Sequence, residues 1–320
     1  MKKNVILVVV LCLITLFLIG CTKSSAKAVN LILATGGTSG TYYPYGGAMA
    51  QIFNSNISGM NVTAQATGAS KENIRLVGKA EAELAIVQND VMDYAMNGIE
   101  LFAGEKISTF STVATLYPEI IQIVVAKDSK IKSISDMKGR SVSVGDAGSG
   151  VEANAKQILE AYGLTFDDIK ANRLSFKESG AALKDKQIEA FFVTAGIPNA
   201  AIQEIATLGG VELISLDDSA MNKLIEKYKF YTAYTISKET YKGMAADAKT
   251  VAVKATLIAS NKLTEKTVYD ITKTLFDKQS ALAQAHAKGN ELSKEKAVLG
   301  VSVPFHPGAQ KYFKEIGLIK

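Results

Sequence analysis

The chain has 320 residues, 48% of them hydrophobic and 21% charged, with a formal net charge of +5. That length gives about two ordinary domains, and the balance of apolar and charged residues excludes a disordered or collagen-like chain. Lysines are scattered rather than clustered, so the modest positive charge reads as a solvated surface and not as a nucleic-acid patch.

Lys2 and Lys3 precede Val5–Ile19, an apolar run interrupted only by Cys12 and Thr15. A membrane span needs about 20 residues, so this run suits the core of a signal peptide. It ends in Leu18-Ile19-Gly20-Cys21, which resembles the bacterial lipoprotein signal, with a small residue before a cysteine that becomes lipidated residue one. The expectation is a signal peptide over 1–20, a lipid on Cys21 and a polar tether over 21–29; an uncleaved anchor is the alternative. Cys12 and Cys21 are the two cysteines of the chain. The mature body then has neither disulfide nor thiolate nucleophile nor Cys-ligated metal.

Strands and helices alternate beyond this point. Leu31–Thr35 reads as a strand entering a loop with Gly36, Gly37 and Gly40, four hydroxyl residues, and Tyr42 and Tyr43. A helix pattern covers Ala48–Asn54, and Asn61–Thr67 alternates as a strand. Gly68-Ala69-Ser70 is a break, with Ser70 as N-cap of a short helix over Lys71–Gly78. Glu83–Val87 reads as a buried strand ending at Gln88-Asn89-Asp90, followed by a helix over Val91–Asn97. Thr109–Leu116 and Ile120–Ala126 read as two strands separated by Tyr117-Pro118-Glu119.

The second half repeats the pattern. Ser141–Val144 is a strand feeding Gly145–Gly150, a second glycine-rich loop, and Glu152–Tyr162 is a helix closed by Gly163. Ser179–Lys186 is a helix, Ala190–Val193 a strand ending at Thr194-Ala195-Gly196, and Ala200–Thr207 a helix. Val211–Ser215 is a strand, Met221–Tyr228 a helix, and Thr250–Ala259 a long β-rich run returning toward the first domain. Helices over Glu265–Phe276, Ser280–Ala287, Ser293–Val298 and Gln310–Ile316 complete the chain. This order predicts an α/β fold with mostly parallel sheets. In such folds ligands sit outside the carboxyl ends of the strands.

Two strand–loop–helix devices face that position. Glycines permit close backbone approach, and a helix N-terminus offers unpaired N–H groups and a positive dipole end to an anion. GGTSG has neither the dinucleotide spacing nor the lysine of a P-loop, and each loop taken alone reads equally well as structural. Gln88 and Asn89 add amides that both donate and accept, Asn89 serving equally as a helix cap. Thr194 and Gly196 form a further strand-end candidate, and Thr67 a weaker one. No H-E-x-x-H, G-x-S-x-G elbow or histidine triad is present. Asp167-Asp168, Asp217-Asp218 and His306 read as caps and turn residues.

Seven stretches together resemble the TAXI solute receptors, the binding proteins of one branch of the tripartite ATP-independent periplasmic (TRAP) transporters. They are TGGTSGTYYPYGGAMAQIF, QATGAS-EN, ELAIVQNDV, LYPEIIQIVV, VGDAGSGVEANAKQILEAYGL, ALKDKQIEAFFVTAGIP and HPGAQKYFKEIG, which fall in order over about residues 30–320. The resemblance implies a type II periplasmic-binding-protein fold, with two α/β lobes around a ligand cleft. Lobe I is expected over 30–121 with 235–320, and lobe II over 122–234. The resemblance further implies a non-enzymatic, extracytoplasmic, lipid-anchored monomer without cofactor or metal. That protein captures a small organic anion or amino acid, of the glutamate, glutamine or 2-oxoglutarate class, by lobe closure. It delivers the solute to an ion-gradient-driven TRAP permease; a solute sensor feeding a signalling partner is the alternative. The cleft motifs carried over are Ser39, Gly40, Thr41, Tyr42 and Tyr43; Gln88 and Asn89; Gly148, Ser149, Gly150 and Val151; and Thr194 and Gly196. Thr67 and Tyr117 complete the candidate set, with Tyr42, Tyr43 and Tyr117 against the ligand's carbon chain.

Overall fold

The computed structural model of the protein describes residues 28–320. The signal-peptide, Cys21 and most of the tether readings lie outside the described residues. Among the described residues no helix is long and apolar enough to cross a membrane.

The first half opens with β1 (Val29–Ala34), α1 (Tyr42–Asn56), β2 (Met60–Gln65), α2 (Ser70–Lys79), β3 (Leu84–Gln88) and α3 (Asn89–Asn97). β1 lies between β2 and β3 and is parallel to both. All five residues of β3 are buried, as suits the middle strand of a sheet covered on both faces. β4 (Phe110–Ala126) then runs 17 residues without a break. At about 3.3 Å per residue it is roughly 55 Å long, enough to traverse both halves of the molecule.

Beyond it come β5 (Ser141–Ser143), α4 (Gly150–Ala161), β6 (Lys170–Asn172), α5 (Phe176–Lys184) and β7 (Ala190–Ala195). Then follow α6 (Ala200–Leu208), β8 (Val211–Leu213), α7 (Asp218–Lys227) and β9 (Thr232–Ile236). β5 is parallel to β6 and β7. β10 (Ala248–Ser260) returns the chain, and α8 (Glu265–Asp277), α9 (Gln279–Ala285), α10 (Lys294–Ala297) and α11 (Pro307–Glu315) finish it. The strand order β2-β1-β3-β10-β4-β7-β5-β6 is thus two parallel units joined by two long strands. β4 and β10 are antiparallel to each other and to the parallel units they meet.

The buried residues sort the same way. One group of side chains, from Leu31 to Tyr117 and from Ala255 to Phe313, packs on the two faces of the first parallel unit. A second group, from Ile120 to Val253, packs on the faces of the other. The division falls between Tyr117 and Ile120 on β4 and between Val253 and Ala255 on β10. Residues 235–253, read from sequence as part of the first lobe, pack instead in the second. β9 folds back antiparallel onto Ala248–Ala252 before the chain leaves, and Ile236, Tyr241 and Ala248 join the core around Phe191.

Three further readings change. β4 is one strand where the sequence suggested two. Pro118 forfeits one ladder N–H but sits where the β10 pairing is already irregular, with register shifts between Ala255 and Thr256 and between Leu257 and Ile258. α1 begins at Tyr42, ahead of the Ala48–Asn54 stretch whose pattern marks it; Pro44 falls in the first helical turn, where its missing N–H has no intrahelical partner to lose. Ser70 is not the cap of α2; Ala69 holds that position, and the Ser70 hydroxyl accepts the backbone N–H of Gln88 at 3.1 Å.

Candidate functional site

The carboxyl ends of β1, β3, β5 and β7 converge between the two halves. A cavity there is walled by Gly36, Gly37 and Ser39–Tyr42 after β1, Ala69 and Ser70, and Gln88 at the end of β3. Glu119 enters from the middle of β4, and the other half supplies Asp146, Ser149–Val151, Ser175, Phe176, Thr194 and Ala195. It leaves about 50 Å³ open to the centre of a water-sized sphere. One water needs roughly 10–15 Å³ on that measure, so the space fits a group of a few heavy atoms.

Each wall is set by local rules. Gly40 donates its N–H to the Gly37 carbonyl at 2.9 Å, turning the first loop into α1. Ser149 caps α4 by accepting the Glu152 N–H at 3.2 Å. The N–H groups of Gly150 and Val151, at the first turn of α4, meet no acceptor among the described residues. They are the unpaired donors that every helix start leaves, and both residues line the cavity.

The halves are joined by buried hydrogen bonds around Asn154 of α4. Its Oδ1 accepts from Gln88 Nε2 at 2.7 Å and from Thr194 Oγ1 at 3.0 Å. Its Nδ2 donates to Asp90 Oδ2 and to the Tyr231 hydroxyl, both at 2.9 Å. Gln157, one turn later, donates to the Tyr94 hydroxyl at 2.9 Å. At the rim the Gly196 N–H donates to Thr41 Oγ1 at 3.2 Å, and Asn199 Nδ2 to the Ser39 carbonyl at 3.3 Å. Gly150 has no room for a side chain: a Cβ there would lie 1.3 Å from Gln88 Oε1, so the closeness of the halves depends on this glycine.

Two carboxyls in this region are fully buried. Burial pushes Glu119 up to about 8, although the hydroxyl of Tyr42, 2.5 Å from Oε2, pulls the other way. Burial also raises Asp90 to about 6, offset in part by the Asn154 amide and the Val91 N–H. Tyr42 and Tyr117 are held well above ordinary tyrosine, chiefly by burial and next by the charge of Glu119. Asp146 is half-buried and shifted upward by burial and by Glu178.

Of the residues singled out from sequence, Ser39, Gly40, Thr41, Tyr42, Gln88, Ser149, Gly150, Val151 and Thr194 line the cavity. The others do not. Tyr43 points outward, 37% exposed. Thr67 braces the first loop, donating to the Thr35 carbonyl and accepting from the Ala69 N–H. Asn89 accepts the Lys254 N–H at 2.9 Å and ties α3 to β10. Tyr117 is buried edge-on against Tyr45. Gly148 donates to the Glu152 carboxylate, and Gly196 is a rim contact.

Glu119, Asp146, Ser175 and Phe176 were absent from that set. Glu119 had a signal: an acid embedded between two apolar runs. Phe176 had none, since nothing local brings the start of α5 beside Gly40. Three of the residues read from sequence as caps and turn residues do take cap positions. Asp217 caps α7, Asp168 closes a capping box with Thr165, and His306 Nδ1 caps α11 by accepting the Gly308 N–H.

Solved structures with the same architecture are periplasmic binding proteins. The aliphatic sulphonate binding protein SsuA from Escherichia coli matches at 16% identity over 89% of this chain and 78% of its own, with a TM-score of 0.52. PhnD1 from Prochlorococcus marinus, solved with methylphosphonate, matches at 11% identity over 91% and 99%, with a TM-score of 0.56. A binding protein component of an ABC phosphonate transporter from Pseudomonas aeruginosa matches at 12% identity over 82% and 79%, with a TM-score of 0.51. The fold is therefore that of the periplasmic binding proteins, a mixed α/β architecture. The chain belongs to the NMT1-like family, whose model matches residues 33–317.

Proposed function

We propose that this member of the NMT1-like family is an extracytoplasmic solute receptor, not an enzyme, which closes its lobes on a small molecule and hands it to a membrane permease. The observation that carries this reading is the cavity itself. Loops at the strand ends of both lobes wall it, and the lobes are hydrogen-bonded to each other beside it through Gln88 and Asn154. Free backbone donors, hydroxyls and an amide line it, which suits reversible capture of a polar solute. The proposed contacts are Ser39–Tyr42, Gln88, Ser149–Val151 and Thr194, with Cys21 as the lipid attachment site.

The permease is proposed to be of the ion-gradient-driven TRAP type, from the resemblance of the seven stretches to TAXI receptors. The proposed solute is a small organic anion or amino acid. An ABC permease is the competing reading, since the fold is shared with ABC binding proteins. Mass spectrometry of the molecule that co-purifies with the protein, followed by calorimetry of that molecule against refolded, ligand-free protein, tests the receptor reading. Absence of any bound molecule, together with no binding across amino acids, oxo acids and dicarboxylates, would refute it. Uptake that survives ATP depletion but collapses with the ion gradient separates TRAP from ABC coupling.

A further inference from the structure

Resting on that receptor reading, we infer that the solute is a small zwitterion with no net charge. Its ammonium group meets Glu119 and its single carboxylate meets the start of α4, as in an α-amino acid with a neutral side chain.

The charge inventory of the cavity carries the argument. Among the described residues its walls hold two carboxyls, Glu119 and Asp146, and no lysine, arginine or histidine. A dicarboxylate entering it would bring two negative charges into a cavity that holds the Glu119 and Asp146 carboxyls and, among the described residues, no cationic side chain to offset them. A monocarboxylate without an amine would satisfy the helix start but leave Glu119 as it is. Glu119 is 2% exposed, and only one of its oxygens is engaged: Oε2 accepts from Tyr42, while Oε1 has no partner among the described residues. Oε1 is thus a free acceptor in the wall of the cavity, and an ammonium group supplies both a donor to it and a countercharge for the ionised carboxylate.

The opposite wall has the reverse character. Gly150 and Val151 present unpaired N–H groups at the positive end of a 12-residue helix. The cap hydroxyl of Ser149 is already committed to Glu152. One carboxylate is matched by these dipoles without a cationic side chain.

The test is calorimetry on the full-length protein, unfolded and refolded to strip any bound solute. The probes are glycine, L-alanine, L-serine, L-threonine, L-valine, L-glutamate and L-glutamine, with pyruvate, L-lactate, succinate and 2-oxoglutarate. A neutral amino acid should bind tightest, and its deaminated analogue at least about a hundredfold more weakly. Glu119→Gln, which keeps an acceptor for Tyr42, should weaken the amino acid at least about thirtyfold, the loss expected when a buried charge pair loses one partner. Titrations near pH 7 in two buffers of different ionisation enthalpy should show a proton released on binding by the wild type and none by the variant. Burial holds the empty Glu119 largely protonated, and the ammonium ionises it. The groups that face Glu119 (Tyr42, Tyr117 and Asp90) and Asp146 in the same cavity are present in both proteins, so the difference isolates Glu119.

Tightest binding by L-glutamate, succinate or 2-oxoglutarate, or an unchanged affinity in Glu119→Gln, overturns the inference and leaves the receptor reading standing. Binding by no probe and by no co-purified molecule removes the receptor reading and this inference with it.

Discussion

Replacing Asn154 with alanine should unlatch the two lobes. Four hydrogen bonds meet at this side chain, and two of them cross between the lobes, to Gln88 Nε2 and to Asp90 Oδ2. The first joins neutral groups and is worth about 1 kcal/mol; the second reaches a buried carboxyl and is worth about 1.5–3 kcal/mol. The closed form therefore loses about 3 kcal/mol relative to the open one, where water takes over both partners. A solute held by the closed form pays that difference in full, and each 1.4 kcal/mol is tenfold, so its Kd should rise about a hundredfold. Calorimetry with the co-purifying solute measures the loss. Small-angle scattering of the ligand-free variant should show a larger radius of gyration than the wild type. Tyr231→Phe is the control, because among the described residues that hydroxyl bonds only to Asn154 and Gln157, both within the second lobe. It should lower Tm with little change in Kd. A Kd for Asn154→Ala within about threefold of wild type, alongside a lowered Tm, would show that Asn154 serves the second lobe alone and would refute the latch.

Other changes separate the site from the scaffold. Glu119 has an ordinary value of 4.5 and sits at about 8 when folded, so the native state holds its proton more tightly than the unfolded chain. That contribution is fully present below pH 4.5 and is lost as pH rises toward 8; the Tm of ligand-free wild type should fall over this window more than that of Glu119→Gln, and parallel Tm curves would contradict it. Gly150→Ala places a Cβ 1.3 Å from Gln88 Oε1, so Gln88 must abandon Asn154; solute affinity should drop about fivefold, the neutral share of the latch, with Tm nearly unchanged. Gly308→Ala drives a Cβ to 2.2 Å from the Glu265 carbonyl and 2.5 Å from the Tyr269 N–H, backbone that cannot yield easily. It should cost about 1–3 kcal/mol in melting experiments while leaving solute Kd as it was.

How far the sequence revealed this molecule depends on whether each feature is local. The glycine-rich loops after β1 and β5 were readable because strand, glycine run and helix start succeed one another in the chain, and most of the candidates drawn from them line the cavity. The strand-end glutamine was readable for the same reason. What the chain order hid was the pairing of distant side chains. Asn154 looked like one more residue in the helical stretch EANAKQILEAY, yet its partners Gln88 and Asp90 lie 66 and 64 residues earlier. Short strands were missed too: β6 has three residues, too few for a period, and takes its place only by pairing with β5. The lobe boundary at residue 235 failed because β9 is held by its antiparallel partner β10, more than ten residues on, and not by any signal of its own.

Glu119 sharpens the distinction between fold and site. The LYPEIIQIVV stretch marks a buried strand, and the glutamate within it breaks the pattern that makes the strand. A buried acid without a cation is hard to account for as scaffold, since a hydrophobic residue of similar volume would pack there at less cost. Tyr42 satisfies one oxygen, and glutamine would satisfy that tyrosine equally well. The local inconsistency therefore points outward, to whatever enters the cavity. Conflicts between a residue and its own element tend to sit where function overrides folding. Here the conflict lies on β4 at the division between the two cores, next to Tyr117 of one and Ile120 of the other. The same long strand that ties the lobes together thus carries the group proposed to meet the solute, so a solute bound at Glu119 would act at the crossing about which the lobes would close.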